Sequence, residues 1–171
     1  MQQASTPDKN TSVLFVCLGN ICRSPTAHGV FEAMVAQANL QHHISIDSCG
    51  TGDWHIGHAP DRRSAKAALA RGYDLSHLRA RQVCAEDFDR FDYILAMDNQ
   101  NLADLQDMSP AHYTGVLDLF LNYADEAGET EVPDPYYGGA SGFNHVIDLV
   151  ERASQALLDA IIADHQLQSG Q

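Results

Sequence analysis

The stretch VLFVCLGNICRSP, Val13 to Pro25, decides how the chain is read. It opens on an unbroken apolar run, Val13–Val16, of the kind that forms a short strand covered on both faces. The run stops at Cys17. Gly19 and Asn20 follow, two residue types that tolerate left-handed backbone. Ser24 and Pro25 then read as an N-cap and a first-turn proline. Behind them Val30, Phe31, Met34, Val35 and Ala38 recur at helical spacing, so a helix is predicted to about Ala38.

A strand, a polar loop and a helix start in this order make an anion cradle. The helix N-terminus offers free N–H groups and the positive end of its dipole. A loop that curls its own amides inward adds a nest of donors. Arg23 contributes a planar fork that matches two oxygens of a phosphate. The same donors favour the thiolate form of a cysteine at the base of the loop. A Cys17 thiolate beneath a bound phosphate is an in-line nucleophile. The alternative phosphate loop, GxxxxGK[ST], is absent from the chain. No metal is required if Arg23 and the amides carry the charge.

Outward from this unit, strands and helices alternate. Ile44–Ser48 reads as a second strand, ended by the loop Cys49-Gly50-Thr51-Gly52. Asp61 to Arg71 reads as a helix with Gly72 as its stop. Gln82-Val83 is a possible short strand. Tyr93–Met97 is a buried strand, Asn99 to Leu105 a short helix, and Val116–Leu119 a weaker fourth strand. The last helix runs from near Ser141 to near His165, with Phe143, Val146, Ile147, Val150, Leu157 and Ile161 as its core stripe. This order predicts an α/β fold, a parallel sheet with helices on both faces. Ligands of such sheets sit beyond the carboxyl ends of the strands, where Cys17 lies. One domain is expected over residues 12–165, with a flexible tail at 1–11 and a short tail at 166–171.

Composition narrows the partners. Apolar residues make up 44% of 171, as in a globular domain, and the net charge is −13. That charge argues against nucleic acid and anionic membrane. An anionic substrate must therefore be held by local donors against the field of the whole protein. The opening MQQASTPDKNTS lacks the apolar core of a signal peptide, so a cytoplasmic protein with reduced thiols is expected. The cysteines at 17, 22, 49 and 84 follow no zinc spacing, and Cys49 and Cys84 read as buried, inert thiols.

CLGNICRSP in this position resembles the motif of the low-molecular-weight protein tyrosine phosphatases, and the resemblance extends from Val13 to about Leu158. It implies a four-stranded parallel sheet flanked by helices, a three-layer Rossmann-like phosphatase fold. It implies hydrolysis of phosphotyrosine in proteins, and of small aryl phosphates, through a cysteinyl-phosphate that releases inorganic phosphate. Cys17 would be the nucleophile and Arg23 the clamp. Leu18, Gly19, Asn20, Ile21 and Cys22 would supply backbone amides, and Ser24 would hydrogen-bond the sulfur. Asp134, framed by Pro133 and Pro135, matches the family's acid loop in DPYY and would protonate the leaving oxygen. Tyr136 and Tyr137 would form one aromatic wall of the pocket and Trp54 the other.

The Trp54 wall resembles the eukaryotic-like branch, and Ile21 stands where related arginine phosphatases tend to carry Thr. By the same resemblance Ser48 would hydrogen-bond Asn20, and His77 with Asp98 would form a supporting network. Cys22 would trap oxidised Cys17 as a disulfide. No cofactor or metal is implied, and the chain is expected to be a monomer or weak homodimer. Two rivals stay open: a thiol-dependent arsenate reductase with Cys84 in its relay, and a phosphotyrosine-binding module without turnover.

Overall fold

The computed structural model describes residues 10–124, 129–135, 139–165 and 167. Four strands, β1 (Thr11–Cys17), β2 (Ile44–Gly50), β3 (Tyr93–Ala96) and β4 (Val116–Leu119), form one sheet in the order β2-β1-β3-β4. Every pairing is parallel, and Cys17 stands opposite Gly50 at the carboxyl end of β1. Among the described residues five α-helices accompany the sheet: α1 (Arg23–Gln37), α2 (Arg62–Ala70), α3 (Asp87–Arg90), α4 (Asn99–Met108) and α5 (Ala140–His165). A 3-10 turn, Phe120–Tyr123, follows β4.

The three layers follow from the pleat of β1, whose successive side chains face opposite ways. Val13, Phe15 and Cys17 join one core with Val30, Phe31 and Val35 of α1 and Val146, Val150, Leu157 and Ile161 of α5. Leu14 and Val16 join the other, with Phe88 of α3 and Leu105 of α4. α2 packs outside α5, where Ala68, Leu75 and Leu78 meet Ile147. The chain leaves β1 toward β2 on one side and later fills β3 on the other. The crevice where the order reverses therefore opens at the end of β1, beside Cys17.

Several boundaries differ from the sequence reading. β1 begins at Thr11, inside the expected tail, because Thr11 pairs with Ile44. β2 runs through Cys49 and Gly50 because a further segment extends its pairing: Gly50 N–H donates to Arg81 O at 2.9 Å and Val83 N–H to Gly50 O at 2.8 Å. Gln82 makes only an isolated bridge with Gly50. β3 ends at Ala96, one residue short, and α4 continues past Leu105 to Met108. α1 begins at Arg23, with Cys22 at the N-cap and no side-chain cap, so Ser24 does not have the capping role its type suggested. α3 was not anticipated; four residues carry too little periodicity to announce a helix. The stop at Gly72 is present, with φ of 94° and its N–H donating to Leu69 O. Asn39, at φ 60°, ends α1 in the same way.

Candidate active site

The loop from Cys17 to Arg23 is held from outside by its carbonyls. Cys17 O accepts from Thr51 N–H and Leu18 O from Gly52 N–H, each at 2.9 Å. Ile21 O accepts from Asp61 N–H at 2.8 Å, and Cys22 O from the Thr26 hydroxyl at 2.7 Å. In a trans peptide the N–H points opposite to the C=O. The amides of Leu18, Gly19, Cys22 and Arg23 are thereby turned away from these partners, toward the pocket their residues line. Gly50 makes this wrap possible. A Cβ there would sit 2.6 Å from Leu18 O, so the loop could not fold back over the end of β2.

Asn20 locks the loop. Its φ of 56° is left-handed, a conformation Asn tolerates. Its N–H donates to Cys17 Sγ at 3.2 Å. Its side chain spans two neighbours, Nδ2 donating to Ser24 Oγ at 2.8 Å and Oδ1 accepting from Arg81 N–H at 3.0 Å. Gly19 takes no positive φ. Its freedom from a side chain is steric, since a Cβ would press on the His55 ring at 3.1 Å. Behind the loop Arg81 forks onto Asp87, which is fully buried, and also reaches Asp47 at 3.0 Å.

Cys17 is 2% exposed, and its sulfur faces two donors. Besides the Asn20 amide, Ser24 Oγ lies 3.0 Å away, and that hydroxyl already accepts from Asn20. An ionised Cys17 is thus met by the Ser24 proton. Arg23 is also buried; Nη1 donates to Asp98 Oδ2 at 2.7 Å and to Val132 O at 3.1 Å. Nη2 lies 4.0 Å from Asp134 Oδ2. With Nη1 committed to the protein, the Nε–Nη2 edge is the one left to grip two anion oxygens. Burial works against the Arg23 charge, but Cys17, Asp98 and Asp134 outweigh it and hold the guanidinium above its ordinary pKa.

These groups line a pocket of about 390 Å³ with Cys17 at its base, bounded by Leu18, Gly19, Ile21, Cys22, Arg23, Trp54, His55 and Asp134. Val132 ties the acid loop to the sheet, since its N–H donates to Met97 O at 2.7 Å while its carbonyl holds Arg23. Asp134 is brought to the rim, its side chain 44% exposed. Trp54 stands at the mouth, 66% exposed. Tyr136 and Tyr137 lie outside the described residues. His55, a rim residue, carries no signal in the sequence; it is placed by the loop after β2.

Two expected supports are corrected. Ser48 does not bond Asn20: its hydroxyl pairs with His28 Nδ1 at 3.0 Å, because Asn20 is already engaged by Ser24 and Arg81. His77 does not meet Asp98. It is exposed and pairs with Glu32 at 3.1 Å, while Asp98 caps α4 through Asn101 N–H at 2.7 Å and holds Arg23. Cys84 is exposed, unlike Cys49, so the expectation of a buried thiol is corrected there: its sulfur lies against Asp87, and it does not line the pocket.

The fold and site together define a thiol-based cradle for a tetrahedral oxyanion, with a carboxyl at its rim. Residues 12–167 match the family model described as low molecular weight phosphotyrosine protein phosphatase. A low molecular weight phosphotyrosine protein phosphatase of Schizosaccharomyces pombe is 44% identical over 154 residues, 90% of this chain and 98% of that protein. A low molecular weight protein-tyrosine-phosphatase of Bacillus subtilis is 40% identical over 156 residues, 91% of this chain and 99% of the relative. The crystal structure of a protein tyrosine phosphatase from Entamoeba histolytica, with Hepes in its active site, superposes with a TM-score of 0.87 at 40% identity, covering 92% of this chain and all of that one. The chain belongs to the low molecular weight phosphotyrosine protein phosphatase family, which has eukaryotic and bacterial members among these relatives.

Proposed function

We propose that the protein hydrolyses phosphotyrosine in proteins, and small aryl phosphates, in two steps. The observation that carries the reading is Cys17 Sγ on the floor of the pocket between Ser24 Oγ and the Asn20 amide, with the Arg23 fork beside it. The thiolate attacks phosphorus in line. As the S–P bond forms and the P–O bond breaks, Asp134 gives its proton to the departing phenolate. Water then attacks the cysteinyl-phosphate and yields its proton to the Asp134 carboxylate, and the thiolate leaves with Ser24 donating to it. The Arg23 side chain and the amides turned into the pocket, those of Leu18, Gly19, Cys22 and Arg23, hold the equatorial oxygens throughout.

Trp54 on one side, with Tyr136 and Tyr137 on the other, would select an aromatic leaving group long enough to reach the floor. Peptides of one sequence bearing phosphotyrosine or phosphoserine test this: turnover of the first with little of the second is expected, and equal turnover removes the aromatic walls from the argument.

Residues 12–165 form a single catalytic domain, active as a monomer or weak homodimer in the cytoplasm. Among the described residues no helix is long and apolar enough to cross a membrane. The acidic charge disfavours nucleic acid and anionic lipid as partners. Cys22 is the resolving thiol for an oxidised Cys17. Burial pushes its thiol up to about 12, partly opposed by a bond with Ser64, so at neutral pH it is a protonated reserve and not a competing nucleophile.

A further inference from the structure

We infer that the first turn of α2 forms a docking surface for acidic residues flanking the substrate phosphotyrosine. This rests on the phosphotyrosine reading of the Cys17 pocket and adds a preference among phosphopeptides. The chain has 23 acidic and 10 basic residues, yet Arg62, Arg63 and Lys66 crowd into five positions. All three are exposed and line an open depression of about 700 Å³ together with Asp61 and Ala65.

Three observations point to an anionic occupant. First, the basic turn opposes the helix it sits on. Cations in the first turn of a helix meet the positive end of the dipole, and the N-cap Asp61, which accepts from the Arg63 and Ser64 amides and pairs with the Arg63 side chain, leaves Arg62 and Lys66 without an acidic partner of their own among the described residues. A local preference broken in this way marks a position held for something other than stability.

Second, two of the cations are left available. Arg23, Arg71 and Arg81 are committed to Asp98, to Asp148 and Glu151, and to Asp47 and Asp87. Arg63 is engaged, paired with the N-cap Asp61 at 3.2 Å and lying over the Phe143 ring at 4.7 Å. Arg62 and Lys66 make no ion pair among the described residues. Four apart on one helix, they share a face.

Third, the depression adjoins the catalytic rim through one backbone hydrogen bond. Asp61 N–H donates to Ile21 O at 2.8 Å, and Ile21 lines the Cys17 pocket. On the far side Arg63 touches Phe143 near the start of α5, the helix that follows the acid loop. A peptide with its phosphotyrosine in the pocket would pass its neighbouring residues along this edge. Asp or Glu side chains there would meet Arg62 and Lys66, a local attraction within an otherwise repelling field.

The test uses the full chain, the Arg62→Glu/Lys66→Glu double variant, and phosphotyrosyl peptides matched in length with acidic or neutral flanks, at low and moderate salt. The wild-type protein should show a lower KM for the acidic peptide, with kcat little changed and the advantage shrinking as salt rises. The double variant should raise KM for the acidic peptide roughly tenfold and erase the preference, leaving an uncharged-flank peptide and a small aryl phosphate unaffected. A wild-type enzyme without acidic preference, or a double variant that loses equally on every substrate, overturns the docking surface while the phosphatase reading stands. Retention of the wild-type protein on anionic vesicles, lost in the double variant without any peptide preference, would assign the patch to a membrane and overturn it as well. Failure on the small aryl phosphate by the wild-type protein would instead sink the underlying reading.

Discussion

Arg23 Nη1 lies 2.7 Å from Asp98 Oδ2, and this pair fixes which edge of the guanidinium faces the pocket. Asp98 also caps α4, so it joins the start of one helix to the clamp on another. Asp98→Asn keeps a good N-cap but loses the charge-assisted bond. We expect near-normal thermal stability, a drop in kcat/KM of roughly tenfold, and weaker inhibition by inorganic phosphate. An unchanged phosphate inhibition constant would show that Arg23 needs no tether.

The carboxyl of Asp134 reaches the rim 4.0 Å from Arg23 Nη2. General acid catalysis matters most when the leaving group departs poorly. Asp134→Asn should lose roughly 10²–10⁴-fold on phosphotyrosine. It should lose clearly less on esters of strongly acidic phenols. Single-turnover rates across a leaving-group series measure this, and an equal loss across the series would leave Asp134 only a loop-shaping part.

With its thiol pushed up to about 12, Cys22 is almost wholly protonated at pH 7. The thiolate fraction rises tenfold for each pH unit below that value, so closure of a Cys17–Cys22 disulfide after peroxide should accelerate by about that factor between pH 7 and 8. Quenched peptide mapping follows the bond directly. A closure rate flat with pH, or full recovery of a Cys22→Ser variant by added thiol, would remove Cys22 from the redox pathway.

Asp87 has no exposed surface and receives both ends of the Arg81 fork, while the Arg81 backbone holds Asn20. Removing Asp87 strands the buried end of the Arg81 fork and leaves the Cys84 amide without its acceptor. Asp87→Ala should cost about 3 kcal/mol. For a chain of this size that is a fall in Tm of roughly 10 °C. Calorimetry checks the figure, and a Tm within a degree or two of wild type would show that Arg81 is satisfied by Asp47 alone.

The opening motif was legible because each of its residues acts locally: an apolar run, a turn, a helix start. The four strands and four of the helices follow from periodicity of the same kind. What escaped is set by distant parts of the chain. Gly50 looks like a loop glycine until the Leu18 carbonyl is seen against it. Ser24 reads as an N-cap, yet its hydroxyl is claimed by Cys17 and Asn20. Ser48 and His77 turn to His28 and Glu32 because α1 presents those side chains to them, and nothing near either residue in the sequence announces it. His55 and Arg81 reach the loop by the same route.

Cys17 as the phosphoryl acceptor is most directly tested by rapid quench of an aryl phosphate reaction followed by mass analysis of the intact chain, for the wild-type protein and Cys17→Ser. One phosphoryl group on a peptide containing Cys17 is expected in the wild type. Cys17→Ser should be neither labelled nor active, but should still bind vanadate, since Arg23 and the loop amides remain. Turnover by Cys17→Ser near the wild-type rate, or a phosphoryl group carried by any other residue, would contradict the covalent mechanism.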